Sequence, residues 1–405
     1  MKTNLAYKIK LASLVLSLTA FASAGYAQLT IPYADGSDGA LNITSGTNVI
    51  DLSQAVTGVW TNTSASPGNG TYDPTQWAVV FKYSSVNIAS GAVVTFLNHP
   101  THAPVVWLVD GDVEIDGELS LDGQNGQFFP GSLNAVEPGP GGFRGGALSP
   151  SYGLGSGYGP GGGSGNGGNG SYSDYPYGAT NIVPLIGGSG AAGWTGGWSG
   201  GGGGGAMLIA ASGQITINGY FHADGGFNAS DTFQGGSGGA IRLVANQILG
   251  NGTLEAVSHL GGGDVGRIRL EANGFANTIT VNPSTVAATP ANPPVIFPST
   301  NAPTVTVLSV AGQIAPTDPT ARVSPNTGAT DLALATTNVV TIVLQTMNFP
   351  TNGTVNVYIK PLYSAQSVLS ATCISGNANQ ALWQVSTALP YPDANVVIQA
   401  HAVAP

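Results

Sequence analysis

From Val105 onward the chain carries short runs in which every second residue is apolar. The first set is Val105, Trp107, Val109, then Val113, Ile115, then Leu119, Leu121. A second follows as Met207, Ile209, Ala211, then Ile215, Ile217, then Phe221, Ala223. A third has Ile241, Leu243, Ala245, then Ile248, then Leu254, Ala256, and a fourth has Ile268, Leu270, Ala272, then Ile279, Val281. Val86, Ile88, Val93 and Thr95 mark an earlier, less regular set. A period of two is that of a strand with one buried face.

The first two sets match without a gap, Asp110 to Gly123 against Ser212 to Gly225, and their three glycines coincide. A pattern kept across so long an interruption predicts equivalent units that stack on one another. Asp116-Gly117, Asn218-Gly219 and Asn251-Gly252 share one aligned position. Asn and Gly tolerate positive φ, so a corner is expected there, with the Asp and Asn side chains bonding along the stack. The prediction is an all-β chain whose main body is a parallel β-solenoid.

Short strands, one buried face and Asn-Gly corners make residues 75–286 resemble a right-handed parallel β-helix of the pectin-lyase-like type. Gly139-Pro140-Gly141-Gly142-Phe143-Arg144-Gly145-Gly146 and Pro184-Leu185-Ile186-Gly187-Gly188-Ser189-Gly190 resemble glycine-rich exported bacterial surface proteins with that core. So do Gly238-Gly239-Ala240-Ile241-Arg242-Leu243-Val244-Ala245 and Gly266-Arg267-Ile268-Arg269-Leu270-Glu271-Ala272. The resemblance implies a β-helix. It also keeps a polysaccharide lyase or glycoside hydrolase in view as the alternative to a structural role, because pectin-lyase-like folds often carry those activities.

Composition divides the chain further. Residues 1–27 have Lys2, Lys8 and Lys10 ahead of the apolar run Leu11 to Phe21 and then small residues, the pattern of a signal peptide. Residues 28–74 read as an N-terminal β-rich cap. Of the 61 glycines, 44 fall between Gly131 and Gly266, concentrated in an insert at about 124–205. Six consecutive glycines, Gly200 to Gly205, end that insert. Two readings of it stand side by side, a flexible loop or a bundle of extended glycine segments packed closely because nothing projects from the backbone. Residues 287–303 form a Pro-rich linker. Residues 304–405 alternate as an immunoglobulin-like β-sandwich, with Trp383 the expected core aromatic.

Without the three signal lysines, 7 basic side chains face 20 acidic ones, a net charge of −13. Nucleic acid is excluded as a partner on this ground, since phosphate neutralisation needs clustered cations. No later segment reads as a membrane span. Cys373, the only cysteine, reads as a small buried hydrophobe. A secreted or cell-surface protein follows, with extracellular or envelope polysaccharide, or a neighbouring surface protein, as partner.

The best candidate ligand-binding residues are the aromatics of the insert, Tyr158, Tyr172, Tyr175, Tyr177, Trp194 and Trp198, whose faces stack on sugar rings. No catalytic residue and no metal ligand is assigned. The acidic run Asp110, Asp112, Glu114, Asp116, Glu118, Asp122 alternates with apolar residues and reads as a solvated strand face. Arg242, Arg269 and Glu271 read as a surface ion-pair row, and His99, His102 and His222 as structural. No cofactor is expected. Calcium is conceivable at Asp35-Gly36-Ser37-Asp38-Gly39, but the loop lacks a later bidentate Glu.

Overall fold

A computed structural model describes residues 29–128, 135–149, 153–163, 177–194, 197–227, 235–258, 264–285, 287–322, 330–334, 338–389 and 395–405. The expected signal peptide lies outside these. The described chain is all-β, with one short 3-10 turn at Leu52–Gln54 and no α-helix among the described residues. No helix among them is long and apolar enough to cross a membrane.

Two sheets built on parallel pairing enclose the main core. In the first, Val105–Val109 pairs with Ala206–Ala211, which pairs with Ala240–Gly250, which pairs with Arg267–Asn277. In the second, the order runs Thr280–Asn282, Thr253–Glu255, Tyr220–His222, Glu118–Ser120, Ala92–Leu97 and Gly46–Asp51. The registers are those of the sequence pattern: Met207 opposite Val105, Ile215 opposite Val113, Phe221 opposite Leu119, then Ile241, Ile248 and Leu254 one layer on. Their side chains form one buried core between the sheets. At the expected corner, Asn218 Nδ2 donates to Asp116 Oδ1 at 2.8 Å, but Gly117, Gly219 and Gly252 do not take the expected positive φ; a Cβ at Gly219 would instead overlap the Gly117 carbonyl of the layer below.

Three further expectations need correction. In the strand Ala92–Leu97 it is Ala92, Val94 and Phe96 that face the core, not Val93 and Thr95. Gly91, at φ +81°, turns the chain just before this strand, and Val94 lies opposite Leu119. Next, the first sheet is buried on both faces. Val80, Val106, Leu108, Leu208 and Val244 point away from the main core into a second one, covered by Leu29, Ile31, Ile182, Leu185 and Ile296. The unbroken apolar runs Val105–Val109 and Ala206–Ala211 have this physical cause. The proline-rich segment is therefore docked on the sheet rather than crossing solvent.

The ion-pair row, third, is buried at Arg242 and Glu271 and half-buried at Arg269 rather than lying on the surface. Glu271 Oε1 accepts from Arg242 Nε and Arg269 Nε, each at 2.8 Å, while an Arg242 terminal nitrogen donates to Val295 O at 2.7 Å. Arg242 and Glu271 sit beneath the proline-rich segment.

The described part of the insert is a hydrogen-bonded body of glycine segments whose one described ladder is the short pair Leu148–Ser149 and Gly153–Leu154. Gly200 to Gly205 occupies its centre. Gly200 donates to Gly146, Gly202 to Gln124, Gly203 to Phe143, Gly204 to Ser237 and Gly205 to Leu121. In return, Gly201 accepts from Ala191, Gly202 from Gly226, Gly203 from Gly139, Gly204 from Gly188 and Gly205 from Ala240. Five separate stretches of chain thus converge on six residues. A Cβ added at Gly203 would overlap the Gly188 carbonyl, and one at Gly202 the Glu137 carbonyl. Side chains are excluded so that backbones meet.

Residues 304–403 form one antiparallel seven-stranded sheet, ordered Gln313–Ile314, Thr304–Val310, Val339–Met347, Gln380–Ala388, Ser367–Gly376, Thr354–Pro361 and Val396–Val403. It curls until its first and last long strands approach each other. Trp383 is in its core beside Phe349, and its indole N–H donates to Thr346 Oγ1 at 2.9 Å. Cys373 is half-buried against that core.

This sheet touches the glycine body through Ala147, Tyr158, Leu362 and Val397. Lys360 Nζ donates to the carbonyls of Gly157 and Gly159, at 2.8 and 3.2 Å. Burial pushes this ammonium down to about 7.

Two predictions follow from packing. Gly203→Ala should lower stability by about 1–3 kcal/mol or more in thermal denaturation, because carbonyls cannot give way as side chains do. Gly58→Ala, whose Cβ would meet only Thr71 Cγ2 at 3.3 Å, should be nearly neutral. For Lys360, the unfolded chain binds more protons than the folded one between about 7 and the ordinary lysine value of 10.5, so this group makes stability rise with pH across that window. Lys360→Met should flatten the rise and stabilise the protein at about pH 6, read from urea midpoints against pH.

Candidate functional site

The outer face of the second sheet carries a close group of titratable side chains among the described residues. Glu118, Tyr220 and His222 project from paired strands, and Asp122 and Asp224 follow those strands at equivalent positions one layer apart. The parallel register places them. Glu118 lies opposite Tyr220, and Ser120 lies opposite His222.

His222 is 5 % exposed, with a carboxylate on each ring nitrogen. Its Nδ1 lies 2.8 and 2.9 Å from the two oxygens of Asp122, and its Nε2 lies 3.2 Å from Glu118 Oε1. The Tyr220 ring stacks on the imidazole at 4.2 Å, and the Tyr220 hydroxyl donates to Glu255. Burial opposes the imidazolium charge. The Asp122, Asp224 and Glu118 carboxylates outweigh it and raise the His222 pKa.

Both aspartates are held by backbone amides of the next layer. Asp122 Oδ1 accepts from Asp224 N, and Asp224 Oδ1 accepts from Val257 N, each at 2.7 Å. The acidic run is therefore divided by function. Asp110, Asp112 and Glu114 are exposed as expected, whereas Glu118 and Asp122 belong to this cluster.

Asp122 also lines two cavities. One, of about 650 Å³, is bounded by Gln124, Asn125, Gln127, Gly225 and Phe227. Phe128, 58 % exposed, follows Gln127 directly and packs on Trp198 at 5.0 Å, and Trp194 bridges to Trp198 through the backbone. The other cavity, of about 370 Å³, is bounded by Asn98, His99, His102, Glu137, Arg144 and Arg322. Glu137 accepts from His102 Nε2 at 2.5 Å and from Arg144 Nε at 2.8 Å. Burial raises the Glu137 pKa, but these two partners overcome it and hold the carboxyl down at about 2. An ionised carboxylate only accepts, so Nε2 carries the hydrogen. His102 itself sits at φ +56°, a conformation that a non-glycine residue holds only where its surroundings enforce it.

The expected aromatic residues part company. Tyr158 is buried between the glycine body and the antiparallel sheet. The Tyr177 hydroxyl donates to Gly187 O at 2.6 Å and accepts from Ser189 Oγ, and the Arg267 guanidinium covers its ring. Neither presents a free face. Tyr172 and Tyr175 lie outside the described residues. Trp194 and Trp198 are half-buried, Trp198 against Phe128, and neither lines either cavity. Phe128, Asn125, Gln127 and His222 were not singled out as site residues from sequence. The aligned Asp122 and Asp224 were the one available signal.

The calcium-like loop is filled by a lysine. Lys82 Nζ lies 3.7 Å from Asp35 Oδ2 and donates to Asn62 O, while Asp38 accepts from Lys82 N, Ser64 and Gly68. An ammonium group stands where a cation would be needed.

The chain matches no family model, no curated protein and no solved structure.

The raised His222 pKa has a definite sign. Its stabilising pairs are fully present below the ordinary imidazole value of 6.5 and are lost as pH rises through the higher folded value. His222→Gln should cost roughly 2 kcal/mol at about pH 6, the scale of hydrogen bonds to charged groups, and progressively less in alkaline buffer. Denaturant midpoints of both proteins across that range check it.

Proposed function

We propose that this is an exported cell-surface protein that contacts polysaccharide along a groove centred on Asp122. The observation carrying this reading is a cavity lined by Phe227, by the amides of Gln124, Asn125 and Gln127 and by Asp122, with the Phe128–Trp198 ring pair following Gln127 directly in the chain. Aromatic faces accept the apolar side of a sugar ring, and amides and carboxylates bond its hydroxyls. The acidic groove and the net charge of −13 favour neutral or amino-sugar polymers over polyuronates.

The repeated offsets between paired strands support a parallel β-helix as the scaffold, and the curled antiparallel sheet an immunoglobulin-like attachment module. The N-terminal basic and apolar residues support secretion. A second reading is glycoside hydrolysis, favoured by one observation: Asp122, open to both cavities, is hydrogen-bonded to a histidine whose other nitrogen meets Glu118. Two carboxylates flanking a scissile bond are the usual requirement of that chemistry.

Co-sedimentation of the mature protein with insoluble neutral and amino-sugar polysaccharides tests the binding reading. Retention is expected, with Trp198→Ala and Phe128→Ala each weakening it about 3- to 10-fold, the range of a lost aromatic contact. Absence of retention, or retention that both variants leave unchanged, rejects the groove. New reducing ends in the same mixtures, abolished by Asp122→Asn, would establish the hydrolase instead.

A further inference from the structure

We propose that Asp122, His222 and Asp224 form a binding site for one divalent transition-metal cation of the zinc or manganese kind. One ligand atom from each of the three lies within 4.8 Å of the others, a span that a single ion can bridge.

The donor set decides the class of ion. Calcium takes six to eight oxygens and seldom nitrogen. One imidazole nitrogen with two carboxylates is a set that zinc and its neighbours accept, leaving positions for water.

The arrangement around the set is also that of a metal ligand shell. A ligating histidine commonly gives its second ring N–H to a carboxylate, which fixes the tautomer and the ring plane. Glu118 Oε1 stands 3.2 Å from Nε2 in that role, which leaves Nδ1 toward Asp122. Each aspartate has Oδ1 fixed by the backbone amide of the adjoining layer. Asp224 and His222 are 1 % and 5 % exposed, so the site is rigid and largely dry. Entry is from the larger cavity, whose lining includes Asp122, one layer from Asp224, and Gly225, the residue that follows Asp224.

Nδ1, within 2.9 Å of both Asp122 oxygens, holds a hydrogen that a metal ion would replace. Binding exchanges it. The cation enters, the Nδ1 proton leaves to solvent, and Nε2–H stays on Glu118. The site does not depend on the glycan reading, since metal and polysaccharide are measured separately.

Calorimetric titration of the chelator-treated mature protein with zinc, manganese and calcium chlorides tests the proposal. Zinc or manganese should bind at a 1:1 ratio, about one proton should be released in buffers of differing ionisation enthalpy, and calcium should bind at least about tenfold more weakly. Asp224→Asn and His222→Gln should each weaken zinc about 10- to 100-fold, whereas Glu114→Gln, on the exposed strand face, should not change it. No binding at millimolar metal, equal affinity in both site variants, or calcium binding as tightly as zinc would overturn the proposal. Should the variants misfold by circular dichroism, cobalt(II) titration of the unaltered protein decides. A visible ligand-field band that saturates at one equivalent and is displaced by zinc supports the site, and its absence rejects it.

Discussion

Everything on the outer face of the second sheet depends on one backbone constraint, the parallel pairing of Val105–Val109, Val113–Ile115 and Glu118–Ser120 with the residues 102 positions later. Parallel ladders lock the alternation of side chains, and a slip by one residue would send the core apolar set outward. With the register fixed, Asp122 and Asp224 are brought one layer apart although a glycine-rich excursion separates them. His222 then falls between Asp122 and Glu118 without any local motif to place it. The cluster is a product of stacking.

For that pairing to close, the chain must leave after Leu121 and return at Ala206 within hydrogen-bonding distance of where it left. Gly205 N donates to Leu121 O, so departure and return touch. Between those points the glycines turn backbone amides into the packing surface. Ordinary segments keep their main chains apart by the width of their side chains; here that spacing is removed, and hydrogen bonds do what an apolar core does elsewhere. The cost is the conformational entropy that glycine loses on ordering, offset by satisfying nearly every donor along the central segment.

Much of this was legible from alternation alone. The strand registers, the Asp116–Asn218 corner bond and the role of Trp383 all follow from local patterns, because period and turn chemistry act between neighbours in the stack. What escaped were features set by whatever covers a surface. Val106, Leu108 and Leu208 are apolar because Leu29 and Ile296 lie over them, and no local rule announces so distant a cover. Tyr158 and Tyr177 failed as glycan platforms for the same reason. Composition marks an aromatic residue as versatile, but only the surrounding glycine segments determine which face stays open. Phe128 was overlooked because a single aromatic beyond a polar stretch has no pattern to signal it.

The placement of the cations has a consequence for the protein's persistence. All seven Lys and Arg side chains among the described residues are buried or half-buried, several of them tied to carbonyl groups or carboxylates. Proteases of the trypsin type need a free basic side chain on a stretch of chain that can unfold locally into their cleft. Six of these residues, all but Arg322, lie where the backbone is already committed to sheets or to the glycine body. Digestion by such enzymes at those six residues must therefore wait for unfolding, which makes the architecture itself the barrier to degradation.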